Sequence, residues 1–136
     1  MRKMQRRGKL SEGARKRPQN GGLPRKSSER ELHLKAQQWL EKSDIWSRHL
    51  IFHVPNERRG GIGAIAHFKR MGVRPGVADY LMFGNRSAAI EIKDDKGKQH
   101  KGQEKFQHDW ERLGHLYFVV RTLEEFQGIV TALIVF

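Results

Sequence analysis

Two strand-like segments joined by a polar turn occupy residues 77–93, VADYLMFGNRSAAIEIK. Residues 77–83 and 88–93 are rich in aliphatic and aromatic side chains, and Gly84-Asn85-Arg86-Ser87 between them has the composition of a hairpin turn. The pattern predicts two antiparallel neighbouring strands.

Charged residues on these two strands can meet on one side of the sheet. Side chains alternate along a strand, so Glu91 and Lys93 face one side while Ile90 and Ile92 face the other. Because the turn is short, Asp79 can lie across from Glu91 and supply a second carboxylate. Two carboxylates can share one divalent cation, and the peptide carbonyl of Ile92 is a natural extra ligand.

This set of side chains suits hydrolysis of a phosphodiester bond. The reaction needs an activated water, neutralisation of charge on the phosphate and help for the leaving oxygen, and Mg²⁺ held by oxygen ligands can supply all three. Lys93 would stabilise the attacking hydroxide or the developing phosphate charge. An acid-x-Lys triplet is weak evidence alone, because Asp94-Asp95-Lys96 is another, and a cross-strand salt bridge is the simpler alternative.

The flanking sequence predicts an α/β fold with elements in the order αβαββαβα. A first helix begins after Ser27-Ser28, and a last helix begins at Thr122, with Glu125 three residues later as its capping box. Between them lie a strand at 49–54, a helix around 65–71 that Gly72 ends, a helix at about 102–113 and a strand at 117–120.

The composition indicates a polyanionic partner. The chain has 27 Lys and Arg against 15 Asp and Glu, a net charge of +12. Residues 1–27 hold ten of these basic residues and one Glu, with almost no apolar periodicity, and are predicted to be a disordered basic arm that attracts phosphate. The chain has no Cys and no apolar run long enough for a signal peptide or a membrane helix, so we expect a soluble, cytoplasmic protein.

Several motifs together resemble the virus-type replication-repair nuclease (VRR-NUC) family of the PD-(D/E)XK superfamily. The resemblance covers about residues 28 to 131, and the order and spacing of the motifs carry it. The motifs are NERRG at 56–60, GVRPGVAD at 72–79, IEIK at 90–93, GK at 97–98, Gln103 with Phe106, and GHLYFVV at 114–120.

The resemblance implies a restriction-endonuclease-like core, a mixed four-stranded sheet flanked by helices, in a nuclease domain spanning residues 28–136. It also implies a Mg²⁺- or Mn²⁺-dependent DNA endonuclease, structure-selective in replication, repair or recombination, in a bacterial or phage-encoded protein. By motif, Asp79 and Glu91 would bind the metal, Lys93 would be catalytic, and Gln103 would lie beside the metal site. The glutamate that the family has in its first helix corresponds best to Glu29, with Glu31 as a near competitor that could simply cap the helix.

Two departures from the family pattern have structural consequences. Ala78 replaces the usual Pro before the aspartate, so strand entry is expected to change while the chemistry is kept. His100-Lys101-Gly102-Gln103 replaces Ser-Pro-Glu-Gln, which is expected to weaken capping of the following helix and to place basic charge near the phosphate path.

Basic residues between the motifs are candidates for contacts with the DNA backbone, although an ordinary solvated basic face is the alternative. They are Arg58, Arg59, Lys69, Arg70, Arg74, Lys98 and Lys101. The rival function is a non-catalytic nucleic-acid-binding protein in which Asp79, Glu91 and Lys93 form only a structural ion pair. A symmetric homodimer would suit junction cleavage, and the sequence leaves the oligomeric state open.

The spacing of His49 and His53 argues against a zinc site formed by this pair. Four residues of a strand separate the two side chains by roughly 13 Å, too far for one ion. His53 at a strand end is interpreted as more often structural than functional.

Overall fold

The computed structural model describes residues 28–56 and 60–135. Within these residues four strands form one sheet, accompanied by five helices. The strands are β1 (Leu50–His53), β2 (Tyr80–Phe83), β3 (Ala88–Ile92) and β4 (Leu116–Val120). The helices are α1 (Glu29–Lys42), α2 (Ile45–Arg48), α3 (Ile62–Arg70), α4 (Lys101–Arg112) and α5 (Leu123–Val135). The predicted order is confirmed, with α2 as one added helical turn between α1 and β1.

The sheet is mixed, with strand order β1-β2-β3-β4. The pairs β1/β2 and β2/β3 are antiparallel, whereas β3 and β4 are parallel and are joined by α4. Tyr80 pairs with Ile90 across the hairpin, as the turn at residues 84–87 predicted. Strand β2 begins at Tyr80, and not at residue 77 as predicted, because the segment before it follows a turn at Gly76.

Both faces of β3 are covered, so all five of its residues are buried. On one face Ile90 and Ile92 pack in a cluster with Leu32, Leu40 and Phe126, which come from α1 and α5. On the other face Ala89 joins a cluster with partly buried side chains of α4. A strand that is covered in this way has no solvated face, so the charged side chain of Glu91 enters the protein interior.

Helix α1 begins close to the end of β3, since Glu29 in its first turn lies near Lys93. The Ser28 hydroxyl accepts a hydrogen bond from the Glu31 backbone N–H at 3.2 Å, which caps the first turn. Leu32 and Leu40 then anchor α1 against the core. Glu29 is therefore held in the first turn of a helix that is fixed to the sheet.

Helix α3 behaves differently, because none of its residues is buried. Its apolar side chains Ile62, Ile65 and Phe68 are 41–89 % exposed. The helix also carries Lys69 and Arg70 near its end, so it presents a mixed apolar and basic surface. No helix in the described part of the chain is long and apolar enough to cross a membrane.

A close backbone approach joins the turn before β2 to the start of α4. Gly76 has a φ of +77°, and a Cβ atom there would overlap the carbonyl group of Gly102. Only glycine combines this backbone conformation with this contact at low cost. The pair sets the distance between the segment that carries Asp79 and the helix that carries Gln103.

We expect Gly76→Ala to destabilise the protein by more than about 2 kcal/mol, since it adds left-handed strain and a backbone clash. Chemical denaturation with urea, followed by circular dichroism, measures the change. Gly128→Ala is the matched control, because its Cβ would meet nothing within 4 Å and it lies within α5. That control should be stabilising by about 0.5–1 kcal/mol, and equal behaviour of the two variants would contradict the role of the Gly76 contact.

Candidate active site

A buried ion pair lies at the carboxyl end of β3. Glu91 is 2 % exposed, and its Oε1 lies 3.1 Å from the Nζ of Lys93, which is 8 % exposed. The backbone N–H of Lys93 donates to the carbonyl of Val120 at 2.9 Å, which continues the pairing with β4 beyond the strand. The structure thus places the two predicted side chains together, in the interior and not on a solvated face.

Gln103 bridges the start of α4 to this pair. Its Nε2 donates to Glu91 Oε1, and its Oε1 accepts from the backbone N–H of His100 at 3.1 Å. A backbone N–H can only donate and an ionised carboxylate can only accept, so the chemistry of the neighbours sets the orientation of the amide. The expected weakening of the helix cap is wrong, because the Gln103 side chain itself returns to the His100 N–H.

The two oxygens of Glu91 have different surroundings. Oε1 pairs with the Lys93 ammonium and accepts a hydrogen bond from Gln103, whereas Oε2 is buried and has no hydrogen-bond partner among the described residues. A buried carboxylate oxygen without a donor costs free energy, so it is rare in folded proteins. An oxygen in this condition is a ready ligand for a cation.

Asp79 lies directly across the hairpin and is held on both sides. Its Oδ2 accepts from the backbone N–H of Ile92 at 2.7 Å. Its own carbonyl accepts from the N–H of Val54 at 2.8 Å and from Nδ1 of His53 at 2.8 Å. The Asp79 carboxylate is thus fixed against the backbone of Ile92, the residue between Glu91 and Lys93. The replacement of the usual Pro by Ala78 does not prevent this contact.

Glu29, and not Glu31, lies beside the ion pair. The Glu29 Oε1 is 3.9 Å from Lys93 Nζ, and a Cβ added to Gly97 would lie 2.8 Å from the same oxygen. Glu31 is exposed, and its N–H belongs to the Ser28 cap. Of the two alternatives in the first helix, Glu29 is the one whose carboxylate can act at this site.

The loop after β3 is shaped by two side chains. Asp94 Oδ1 accepts from the backbone N–H groups of Lys96 at 3.0 Å and Gly97 at 2.5 Å. The guanidinium of Arg121 donates to the carbonyls of Asp94 and Gly97. The role of Arg121 was not predicted from the sequence. The available signal was its position directly after a predicted buried strand, where ligand-binding residues of α/β sheets often lie.

Burial, and after it the negative charge of Asp79, raise the pKa of Glu91 to about 7, while the hydrogen bond and charge of Lys93 oppose the shift. A divalent cation beside Glu91 would favour the ionised form of that carboxyl group. Asp79 and Glu91 therefore fit an oxygen-coordinated ion such as Mg²⁺, with the Ile92 carbonyl as the further expected ligand.

The basic residues predicted to contact DNA lie in three places. Lys98 and Lys101 are exposed on the segment between Gly97 and Gln103, next to the buried pair. Lys69, Arg70 and Arg74 are exposed on α3 and in the loop after it. Arg58 and Arg59 lie outside the described residues, as does the basic arm of residues 1–27.

Comparison with solved structures supports the architecture. A structure described as a VRR_NUC domain protein superposes with a TM-score of 0.65 at 21 % sequence identity, covering 81 % of this chain and 90 % of that one. No protein-family model matches the chain, and no curated protein matches it. The protein therefore has a VRR-NUC-like fold, as the sequence motifs predicted.

We expect the metal-free protein to lose stability as the pH rises from about 4.5 to about 7. In this window folded Glu91 keeps a proton that the unfolded chain has released, so ionisation opposes folding, by at most about 3 kcal/mol once the pH exceeds 7. Urea titrations in EDTA at several pH values measure the slope. Glu91→Gln should flatten it, and an unchanged slope in that variant would show that other groups cause the pH dependence.

Proposed function

We propose that the protein is a Mg²⁺- or Mn²⁺-dependent deoxyribonuclease that hydrolyses phosphodiester bonds within DNA. The observation that carries the proposal is Glu91, whose Oε2 is buried without a hydrogen-bond partner among the described residues, close enough to Asp79 for that charge to raise its pKa. A buried carboxylate oxygen in this state suits coordination of a hard cation. The VRR-NUC-like fold supports the same reaction class.

The metal would be held by Asp79, by Glu91 and by the Ile92 carbonyl. When bound, Mg²⁺ lowers the pKa of a coordinated water and neutralises charge on the phosphate. The chain's part is to orient the two carboxylates. The N–H of Ile92 orients Asp79, and the amide of Gln103 orients Glu91.

Lys93 supplies a fixed positive charge at the edge of this centre. Its ammonium lies 3.1 Å from Glu91 and 3.9 Å from Glu29, and its buried stem restricts its movement. A charge in a dry, preorganised position stabilises a developing oxyanion far more than one in water does. Glu29 balances this charge when no substrate is bound.

Gln103 acts as a positioning residue. Its Nε2 donates to one oxygen of Glu91, so that the other oxygen stays available. Its Oε1 accepts from the backbone N–H of His100, which fixes the amide at the start of α4. Lys98 and Lys101 flank this start, where they can receive phosphates next to the scissile one. The basic arm of residues 1–27 would add affinity without reading sequence.

The rival function, binding of nucleic acid without catalysis, accounts less well for Glu91. A purely structural ion pair is stable when every buried polar atom has a partner. Here Lys93 and Gln103 both use one carboxylate oxygen and leave the other without a partner in the described residues. Selection for structure alone gives no reason for that arrangement.

We expect cleavage of labelled duplex, flap or four-way-junction DNA with Mg²⁺ or Mn²⁺ and none with EDTA. Asp79→Asn and Lys93→Ala should each lower the rate by about 100-fold or more, because Asp79 would hold the metal and Lys93 would place positive charge at the reacting phosphate. Asp109→Asn and Lys105→Ala are matched controls, since these residues form a 2.8 Å pair on the exposed surface of α4. Comparison of the three DNAs would also identify the preferred substrate shape.

If the purified protein binds all three DNAs and cuts none with either metal, the catalytic proposal is wrong and the rival function stands. If the controls lose as much activity as the site variants, the reaction belongs to another part of the surface. Homodimer formation stays a prediction, which sedimentation analysis with and without junction DNA would decide.

The double variant Lys98→Ala/Lys101→Ala should weaken DNA binding and reduce the slope of log affinity against log salt by about 2, the loss of two phosphate contacts. Binding is measured in EDTA, so that no cleavage occurs. The double variant Lys42→Ala/Lys105→Ala removes the same charge from exposed positions at the end of α1 and on α4. Equal slopes for the two double variants would place the DNA path elsewhere.

A further inference from the structure

We propose that His33, His53 and Asp79 form a second metal site, for a first-row transition ion such as Zn²⁺ or Co²⁺. Each residue offers one ligand atom, and the three atoms lie within 4.8 Å of one another. They come from three different elements: α1, the end of β1 and the turn before β2. The site shares Asp79 with the proposed Mg²⁺ centre, does not include Glu91 or Lys93, and needs no nuclease activity to bind an ion.

The hydrogen bonding of His53 prepares one of its nitrogens for a metal. Nδ1 lies 2.8 Å from the backbone carbonyl of Asp79, and a carbonyl can only accept, so Nδ1 carries the proton. The lone pair is therefore on Nε2. Donation from one ring nitrogen to a backbone carbonyl is the arrangement that orients histidines bound to metal.

His33 reaches the same place from α1. Its ring meets that of His53 edge-on, with centroids 4.4 Å apart, and lies 5.0 Å from the ring of buried Tyr80. Tyr80 is itself held by a 2.8 Å hydrogen bond to Gln37 on α1. These contacts keep the two imidazoles adjacent. Sequence spacing had indicated only His49 as a candidate partner for His53.

Binding requires a small closure of the three side chains. Ligands about 2.0–2.1 Å from a tetrahedral zinc ion lie roughly 3.4 Å apart, so ligand atoms within 4.8 Å of one another must approach by up to about 1.4 Å. His53 is exposed and His33 is half-buried, so side-chain rotation can supply this movement. The backbone positions need not change.

The ligand types select the ion. Two imidazoles and one carboxylate favour Zn²⁺, Co²⁺ or Ni²⁺, whereas Mg²⁺ prefers oxygen ligands alone. Three protein ligands leave a fourth position for water or for an oxygen of a bound molecule, as in open zinc sites. Asp79 would then stand between two ions of different chemistry, because its carboxylate also borders the hairpin position of Glu91.

The test is titration of untagged, metal-stripped full-length protein with Co²⁺ in excess Mg²⁺, followed by the visible absorption of Co²⁺. We expect one Co²⁺ per chain, with affinity at least tenfold lower in His33→Ala and in His53→Ala. Glu91→Gln should keep Co²⁺ binding, because that residue belongs to the other centre. His67→Ala and His108→Ala, which remove exposed histidines, should leave the affinity unchanged.

A second readout covers variants that fold poorly. Zn²⁺ should raise the melting temperature of the original protein by several degrees, since the ion joins three elements of the folded state. His33→Gln and His53→Gln, which keep side-chain bulk and polarity, should abolish that rise while circular dichroism shows an unchanged fold.

The proposal is overturned if Co²⁺ binding survives both histidine changes and is lost in Glu91→Gln, because the ion then occupies the carboxylate centre. It is equally overturned if the folded original protein binds no Co²⁺. Failure to cut DNA would leave these results untouched, so the two proposals can fail independently.

Discussion

The burial of one carboxylate, Glu91, governs the arrangement of the elements around it. Its strand is covered on both faces, so the charge cannot reach water, and an isolated carboxylate in such surroundings would be strongly destabilising. Lys93 and Gln103 offset this cost from two different elements, yet both act on the same oxygen. The compensation is incomplete at the atom where a cation would complete it.

The elements that support Glu91 are themselves held in place by specific contacts. The approach of Gly76 to Gly102 brings the start of α4, and so Gln103, to the site. The Ser28 cap holds the first turn of α1, and with it Glu29. Arg121 clamps the loop after β3 from the end of β4. These supports converge at the carboxyl ends of two parallel strands, where open α/β sheets commonly bind their ligands.

Asp79 connects the two proposed metal centres. Its carboxylate is oriented by Ile92 on β3, and its backbone carbonyl orients His53 at the end of β1. If both centres bind ions, this one residue would couple their geometries through short hydrogen bonds. Strand β1 would then contribute to the chemistry of this side of the molecule as well as to its packing.

Local sequence patterns were sufficient for the order of the elements, the hairpin at residues 84–87 and the facing positions of Asp79 and Glu91, because periodicity and turn chemistry depend on near neighbours. The family resemblance added Glu29 and Gln103, and the structure places Glu29 beside Lys93 and Gln103 beside Glu91. The short helix α2 escaped prediction, since a single turn after Asp44, with its φ of +60°, carries no periodic signal.

Tertiary structure alone decided that Gln103 reaches Glu91, that Glu91 keeps one unpartnered oxygen within the described residues, and that His33 meets His53. Each of these depends on contacts between elements distant along the chain. Spacing in a sequence determines which side of an element a residue occupies. It does not determine what another element brings against that side, because packing sets those distances only when the whole sheet and its helices have come together.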